Sequence, residues 1–496
     1  MPEALTPVLL GLDLGTSSVK ALLMAEDGDI IGEGSASYPV RSLRPGWAES
    51  APEDWSNALA YATRAAVGPH GAEVAAIGLS GQMHGVVLAD DRGRSLRPAI
   101  LWADTRSTRE LAAYRGLCEE AGERLANPPA VGMAGPTLLW LRDHEPDTYA
   151  SARWALQPKD WLRLRLNGEA AAEPSDASAT LLYDLLSDDW DFAVVEALGL
   201  HAGLLAPLVP SAGVAGTLTR EAARSLGLRT GLPVAAGAAD TAAAMLGGGI
   251  LRPGLVQLTV GTGGQIVAPK SAPEPDPYRR THLYRAATPD LWYSMAAIQN
   301  AGLALEWART TLGASWREVY EEAFAVPPGA GGVVFLPYLS GERTPRFDPE
   351  ARGAWVGLSL EHGRGHLLRA ALEGVAFALR EGLEALEGAG TAVSELRLAG
   401  GGTAEELWRQ LLADVIGRPL RVLPGGVASV ASARGAALLA GAAFGLYRSW
   451  QEVLALAPEP DHSVRPGGAG GAYDTGYTRY QELYPSLYGQ GVSRSD

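Results

Sequence analysis

Glycine-threonine turns are the first residues in the chain whose types suit phosphate chemistry. Gly15, Thr16 and Ser17 follow the apolar run VLLGLDL, and Gly261, Thr262 and Gly263 follow LVQLTV. A glycine turn lets backbone N–H groups approach phosphate oxygens, and a threonine hydroxyl adds a donor. Either turn alone also reads as an ordinary hairpin; their recurrence favours the phosphate reading. A third turn, Gly400 to Thr403, leads into ELWRQLLADVIG, so Gly401, Gly402 and Thr403 precede a helix N-terminus, which attracts anions. The chain has no Gly-Lys pair, hence no Walker A loop, and no GxGxxG follows a strand.

The two hairpins differ at one position, where Asp13 in the first is matched by Thr259 in the second. One hard carboxylate oxygen suits Mg²⁺, which keeps most of its waters and bridges nucleotide phosphates. An Asp serving its own hairpin is the alternative. Asp240 lies where strand-like VAAGA passes into helical DTAAAMLG, which makes it an N-cap or first-turn residue. Ala238, Ala239, Ala242, Ala243 and Ala244 let this helix approach an equally small-faced partner, VASARGAALLAGAAFG, and a carboxylate at the mouth of that crossing faces a cleft. Gln82, Met83 and His84 come just after the buried strand VAAIGLSG, where loop side chains emerge from an α/β sheet. In LWADTR, Trp102, Asp104 and Arg106 supply an apolar plate and hydrogen-bonding groups of both kinds, as polyol recognition requires.

These residues need a large scaffold. At 496 residues the chain exceeds what one hydrophobic core supports, so two domains are expected. A composition of 47% hydrophobic and 20% charged residues is globular. The net charge of −15 argues against nucleic-acid and anionic-membrane partners. A single cysteine, Cys118, rules out an internal disulfide and fits a reducing, cytoplasmic setting. The N-terminus shows no leader pattern, and the Ala/Gly-rich run Leu232 to Leu251 carries Asp240 in its middle, which makes it a poor membrane span.

From Val8 to Val40 the spacing predicts three antiparallel strands, then a helix near Asp54 to Val67 and a buried strand at Val74 to Gly81. The pattern restarts near residue 255: Leu255 to Ala268 repeats the layout of Leu9 to Leu22, and Glu395 to Gly402 resembles Glu73 to Gly81. Two similarly folded halves follow, 1–250 and 251–496, with the boundary at Gly247 to Gly249. The Gly/Tyr-rich end after Arg465 reads as peripheral.

In motif order the chain resembles the FGGY carbohydrate kinases, which share the actin and Hsp70-like ATPase fold. GLDLGTSSVK resembles their first phosphate loop, GAADTAAAMLG the first connecting helix, VGTGG the second phosphate loop, AGGGT the adenosine loop and SARGAALLAG the second connecting helix. GLSGQMHGVVLADDRGRSLRPAILWADTR, QPKDWLRLRLNGE and FLPYLSGERTPRFDPEARGAWVGLS are most similar to the xylulose kinases among them. The resemblance implies two actin-like, ribonuclease H-like α/β domains around a central cleft. The first half would hold sugar and base, the second the nucleotide. It further implies Asp240 as catalytic base, Met83 and His84 as sugar contacts and Asp13 as holder of a magnesium nucleotide. The implied reaction is ATP-dependent phosphorylation of D-xylulose, or of another ketose or sugar acid such as ribulose or gluconate, for which Arg106 would be the cation. Expected partners are the sugar, ATP and Mg²⁺, with a homodimer as the assembly to test. Ala103, Thr137 and Gly263 depart from the family pattern.

Overall fold

The computed structural model describes residues 7–489, without the side chains of residues 71, 72, 118, 119 and 427. The leader-free reading of the first six residues and the reading of the Cys118 thiol lie outside the described residues. Strands β1 (Val8–Leu14) and β2 (Ser18–Ala25) form the first hairpin, and β3 (Ile30–Ser37) continues the antiparallel order. Helix α1 (Pro52–Val67) opens on proline, carries Glu53 and Asp54 in its first turn, and buries Trp55, Leu59 and Ala62 on one face. It returns the chain to β4 (Val74–Gly81), parallel to β1. Both sheet faces are covered, which is why β1 and β4 are apolar almost throughout. After a long excursion that includes α2 (Pro158–Asn167), strands β5 (Val214–Thr217) and β6 (Pro233–Ala235) complete the order β5-β6-β4-β1-β2-β3. The two-residue β7 (Ala238–Ala239) also pairs with β4 and runs into α3 (Asp240–Gly247).

The second half repeats this construction. Strands β8 (Gly254–Val260) and β9 (Gly264–Lys270) form its hairpin, and β10 (His282–Arg285) and β11 (Trp292–Ile298) extend it. The 25-residue α4 (Arg364–Gly388) leads to β12 (Val393–Ala399), which lies parallel to β8 as β4 does to β1. Helix α5 (Glu406–Ile416), β13 (Leu420–Val422), α6 (Ala431–Phe444) and β14 (His462–Val464) follow, giving the order β10-β11-β9-β8-β12-β13-β14. Both internal correspondences seen in the sequence are thus equivalent strands, and α3 and α6 occupy equivalent positions after them.

Helices α3 and α6 meet backbone to backbone. A Cβ on Gly435 would stand 1.9 Å from the Ala243 carbonyl oxygen, and one on Gly247 2.0 Å from that of Ala431. Only glycine allows this approach. Helix α6, although encoded in the second half, lies on the first sheet, where a Cβ on Gly11 would meet the Ala433 carbonyl oxygen at 1.9 Å. Each half has its own core, around Leu10, Ile77, Val234 and Trp161 in the first and Val256, Ile266, Leu372 and Trp408 in the second. A third cluster joins them, with Leu9, Met24 and Met83 packed beside Leu255, Tyr284, Tyr293 and Leu439.

One expectation is corrected. The end of the chain forms α7 (Gly470–Tyr488), whose Tyr473, Tyr477 and Tyr480 are buried in the second core beside Phe377. The tyrosines of this end, expected to be peripheral, recur at helical spacing, and burial of large rings outweighs the weak helix propensity of its three glycines. Among the described residues no helix is long and apolar enough to cross a membrane.

Candidate active site

Strand β4 brings two aspartates together. Asp13 of β1 is the register partner of Ser80, and Ala238 of β7 pairs with the same Ser80 from the opposite side. Asp240, the first residue of α3, therefore emerges beside Asp13 at the carboxyl ends of the strands. Both line a crevice of about 220 Å³ between the halves, with Gly15, Lys20, Gln257, Thr259, Gln265 and Ser432. Ser80 Oγ donates to Asp13 Oδ1 at 2.8 Å, and Lys20 Nζ donates to the Ser429 carbonyl at 2.6 Å. Thr259, the counterpart of Asp13 on β8, faces the same space.

Asp240 is not an N-cap. Its Oδ1 accepts from the Thr241 N–H at 2.6 Å and from the Thr241 hydroxyl at 3.1 Å. Burial pushes its carboxyl up to about 7, the negative charge of Asp13 adds to the rise, and the Thr241 bonds oppose it. Burial also raises the Asp13 carboxyl, against the Ser80 hydrogen bond and the charge of Lys20. Two carboxylates with raised affinity for protons facing one crevice are suited to a cation and to an alcohol proton.

Of the three glycine turns, the first lines the crevice through Gly15, and Gly261 and Gly401 each come two residues after a lining residue, Thr259 and Ala399. Gly15 N–H donates to the Ser18 carbonyl at 3.0 Å, and its own carbonyl accepts from the Tyr38 hydroxyl and from Gln82 Nε2. The Thr16 hydroxyl accepts from the Trp102 indole at 2.9 Å, while Ser17 is exposed. The carbonyls of Gly261 and Thr262 accept from Gly302 and Leu303 N–H at 3.0 and 2.9 Å, which turns this hairpin's carbonyls into the helix beginning at Gly302; Gly263 Oʹs bond is to Gly261 N–H. Gly261 and Thr262 are exposed, as are Gly401 and Gly402. Gly400, at φ +100°, lies over the Val260 carbonyl and so sets the third turn against the second. Thr403 is buried, and its hydroxyl donates to the Gly400 carbonyl at 2.8 Å, so it holds the turn.

Gln82, Met83 and His84 follow β4 directly. Gln82 Oε1 is buried without a partner, and Met83 Sδ receives the Tyr293 hydroxyl at 4.0 Å. His84 occupies the left-handed region at φ +70°, a conformation retained where surrounding structure enforces it. Its Nδ1 bonds the Ala179 carbonyl at 2.9 Å, and its ring is held down to about 4 by burial and then by Arg343, so it is neutral near pH 7. The Trp102 ring lies 5.6 Å from the Arg343 guanidinium across a wider cleft of about 420 Å³, which Ala103 also lines.

Asp104 and Arg106 do not join this group. They are closed on each other by bonds of 2.8 and 2.7 Å, Asp104 also accepts the Ala48 N–H, and Arg106 adds Glu49 at 2.8 Å and the Trp47 ring at 3.6 Å. Opposite charges two residues apart satisfy each other before either reaches a ligand, and the pair braces the loop carrying Trp102. Thr137 is buried within the helix Ala134–His144.

Sequence reading passed over Arg343, whose side chain has no hydrogen bond or ion pair among the described residues, and a buried ionic group behind Asp240. There Lys159 Nζ meets Asp160, Glu173 and Asp176 at 2.7, 3.2 and 2.9 Å. The signal for the latter was the rarity of lysine. Only Lys20, Lys159 and Lys270 occur in the chain, and each donates to a named partner.

Residues 8–247 match the model of the N-terminal domain of the FGGY family of carbohydrate kinases, and residues 256–444 that of its C-terminal domain. Xylulose kinase of Escherichia coli (strain K12) is 35% identical over 480 residues, covering 96% of this chain and 99% of the relative. A gluconokinase of Bacillus subtilis (strain 168) is 31% identical over 429 residues, 83% of each chain. Among solved structures, a xyloylose kinase from Brucella ovis superposes with a TM-score of 0.90 at 37% identity, covering 97% of this chain and 100% of that one.

Proposed function

The chain belongs to the FGGY family of carbohydrate kinases, and from that premise we propose that it phosphorylates the C5 hydroxyl of D-xylulose with ATP, giving D-xylulose 5-phosphate and ADP. One observation carries this reading: Asp240 stands beside Asp13 at the mouth of the crevice between the halves, with its carboxyl pushed up to about 7. Asp240 accepts the proton of the sugar hydroxyl as that oxygen attacks the γ-phosphorus, assistance worth about 10²–10⁴-fold. Positioning supplies the larger share, as in phosphoryl transfer generally. Neutral His84, with Nδ1 turned to Ala179, offers Nε2 as an acceptor to a sugar hydroxyl, and Gln82 Oε1 offers another. Gly15 lines the crevice, and the turns at Gly261 and Gly401 follow its lining residues Thr259 and Ala399, which supports phosphate held between the halves, with the sugar site in residues 1–250 and the rest of the nucleotide site in 251–496.

The donor set suits Mg²⁺. Asp13 Oδ2 receives no hydrogen bond among the described residues, Gln257 Oε1 is buried without a partner, and Thr259 adds a hydroxyl. Among the described residues no three His, Cys, Asp or Glu side chains are placed to hold a metal ion between them, and Mg²⁺, held by one or two carboxylates plus phosphate and water, needs no such cage. Asp13 would hold the ion, which supplies charge neutralisation on the transferred phosphoryl group.

A second reading, a sugar acid as acceptor, is favoured by Arg343, a cation in the cleft with no ion partner among the described residues; Arg106 does not serve, being already paired. An ADP-release assay over pentuloses, hexuloses and sugar acids separates the two. The reading holds if D-xylulose has the highest kcat/KM, and a tenfold preference for an aldonate overturns it.

A further inference from the structure

Behind the crevice, one short segment reaches both the residue before Asp240 and the loop that carries His84. Glu173, fully buried, accepts from the N–H groups of Ser175 and Asp176, both at 2.9 Å, and from the hydroxyls of Ser175 and Ser211 at 2.8 and 2.7 Å. Lys159 stands 3.2 Å from the same carboxylate and ties it to α2. The Ser175 hydroxyl, its one proton spent on Glu173, accepts the Ala239 N–H at 2.9 Å. Ala239 immediately precedes Asp240. Four residues on, the Ala179 carbonyl accepts from His84, and between them Ser178 Oγ accepts the Arg285 N–H of β10 at 3.0 Å.

We propose that Ser175, clamped by Glu173 and Lys159, is the positioning residue that fixes the Asp240 carboxylate, and that the segment Glu173–Thr180 holds base and sugar loop in one register. The argument is one of constraint. Between Gly237, at φ +85°, and the first turn of α3, the chain has two residues of strand pairing to β4; Ser175 bonds the backbone on that stretch, and Ser432 Oγ donates to the Asp240 carbonyl from α6 at 3.1 Å just after it. Glu173 takes the one proton of the Ser175 hydroxyl, which leaves that oxygen an acceptor only, and the donor it accepts from is the Ala239 N–H. Lys159 keeps the carboxylate charged in a dry interior; Arg163, 2.7 Å from Asp160, balances the second acid. Removing the hydroxyl leaves the N–H without an acceptor and the base free to shift.

This rests on Asp240 being the base, and the experiment separates the two claims. Ser175→Ala and wild type are compared in Tm, in kcat and KM for D-xylulose with magnesium ATP, and in amide exchange of the peptide spanning residues 238–241. The expected result is faster exchange in that peptide and a kcat lower by roughly 10–100-fold, with sugar KM changed less than about threefold. Ser175→Cys, of nearly the same size and with a weak acceptor, falls between and serves if Ser175→Ala does not fold. A fall in Tm with kcat retained overturns the proposal, as does unchanged exchange. Wild-type enzyme without turnover on any sugar of the panel overturns the role given to Asp240, and the exchange measurement then still decides whether Ser175 holds the turn.

Discussion

Asp240 must shed its own proton before it can take one from an alcohol. With its carboxyl near 7, kcat rises with pH through that value, and His84, neutral down to about 4, does not contribute to this limb. Replacement by Asn leaves sugar binding measurable by calorimetry and lowers kcat by about 10²–10⁴-fold. Stability changes in the opposite sense. An aspartate has a pKa of about 3.9 in the unfolded chain, so the native state binds this proton more tightly. That stabilisation is complete below about pH 4 and is lost as pH climbs through 7. Asp240→Asn therefore raises Tm relative to wild type at pH 8 and has little effect at pH 4, a comparison that thermal scans at the two pH values settle. At this scale the sequence marked candidate residues but not whom they face. Asp13 and Asp240 line one crevice, whereas Asp104 and Arg106 neutralise each other because residues two apart in a tight turn meet first. The Ser175 contact joins residues 64 apart and left no local trace.

Helix α3 carries Asp240, so whatever moves α3 moves the chemistry. Gly435→Ala places a methyl carbon 1.9 Å from the Ala243 carbonyl and forces the α3–α6 crossing apart, at a cost of about 1–3 kcal/mol. Both Tm and kcat are expected to fall. Gly445→Ala, at the exposed end of α6, is not equivalent, since nothing lies within 4 Å there but the residue sits at φ +78°. Strands and connecting helices were largely legible, because two parallel strands buried on both faces and two small-faced helices leave strong patterns. The tyrosine helix α7 was not, since its glycines masked a helical recurrence that makes sense only against Phe377 of α4.

Two halves built alike enclose one crevice, and ligands on both sides of it bind the same molecule. Sugar and nucleotide are expected to raise Tm more together than the separate shifts predict, because each favours the arrangement the other needs. Chelation of divalent cations should abolish turnover while leaving the sugar-induced shift intact; a shift lost on chelation would place the ion on the sugar side. The repeat in the sequence disclosed this symmetry, but it could not disclose that α6 lies across the first sheet rather than its own.

That exchange has a consequence for synthesis. A ribosome completes the strands of the first sheet while roughly 200 residues still separate Gly247 from the end of the helix that roofs it, a delay of roughly 10–40 s at usual elongation rates. Throughout it the nascent chain shows an oily face around Leu9 and Ala76 to solvent or to a chaperone. Residues 1–250 made alone should therefore precipitate, and should be recovered in native form when residues 251–496 are made alongside them.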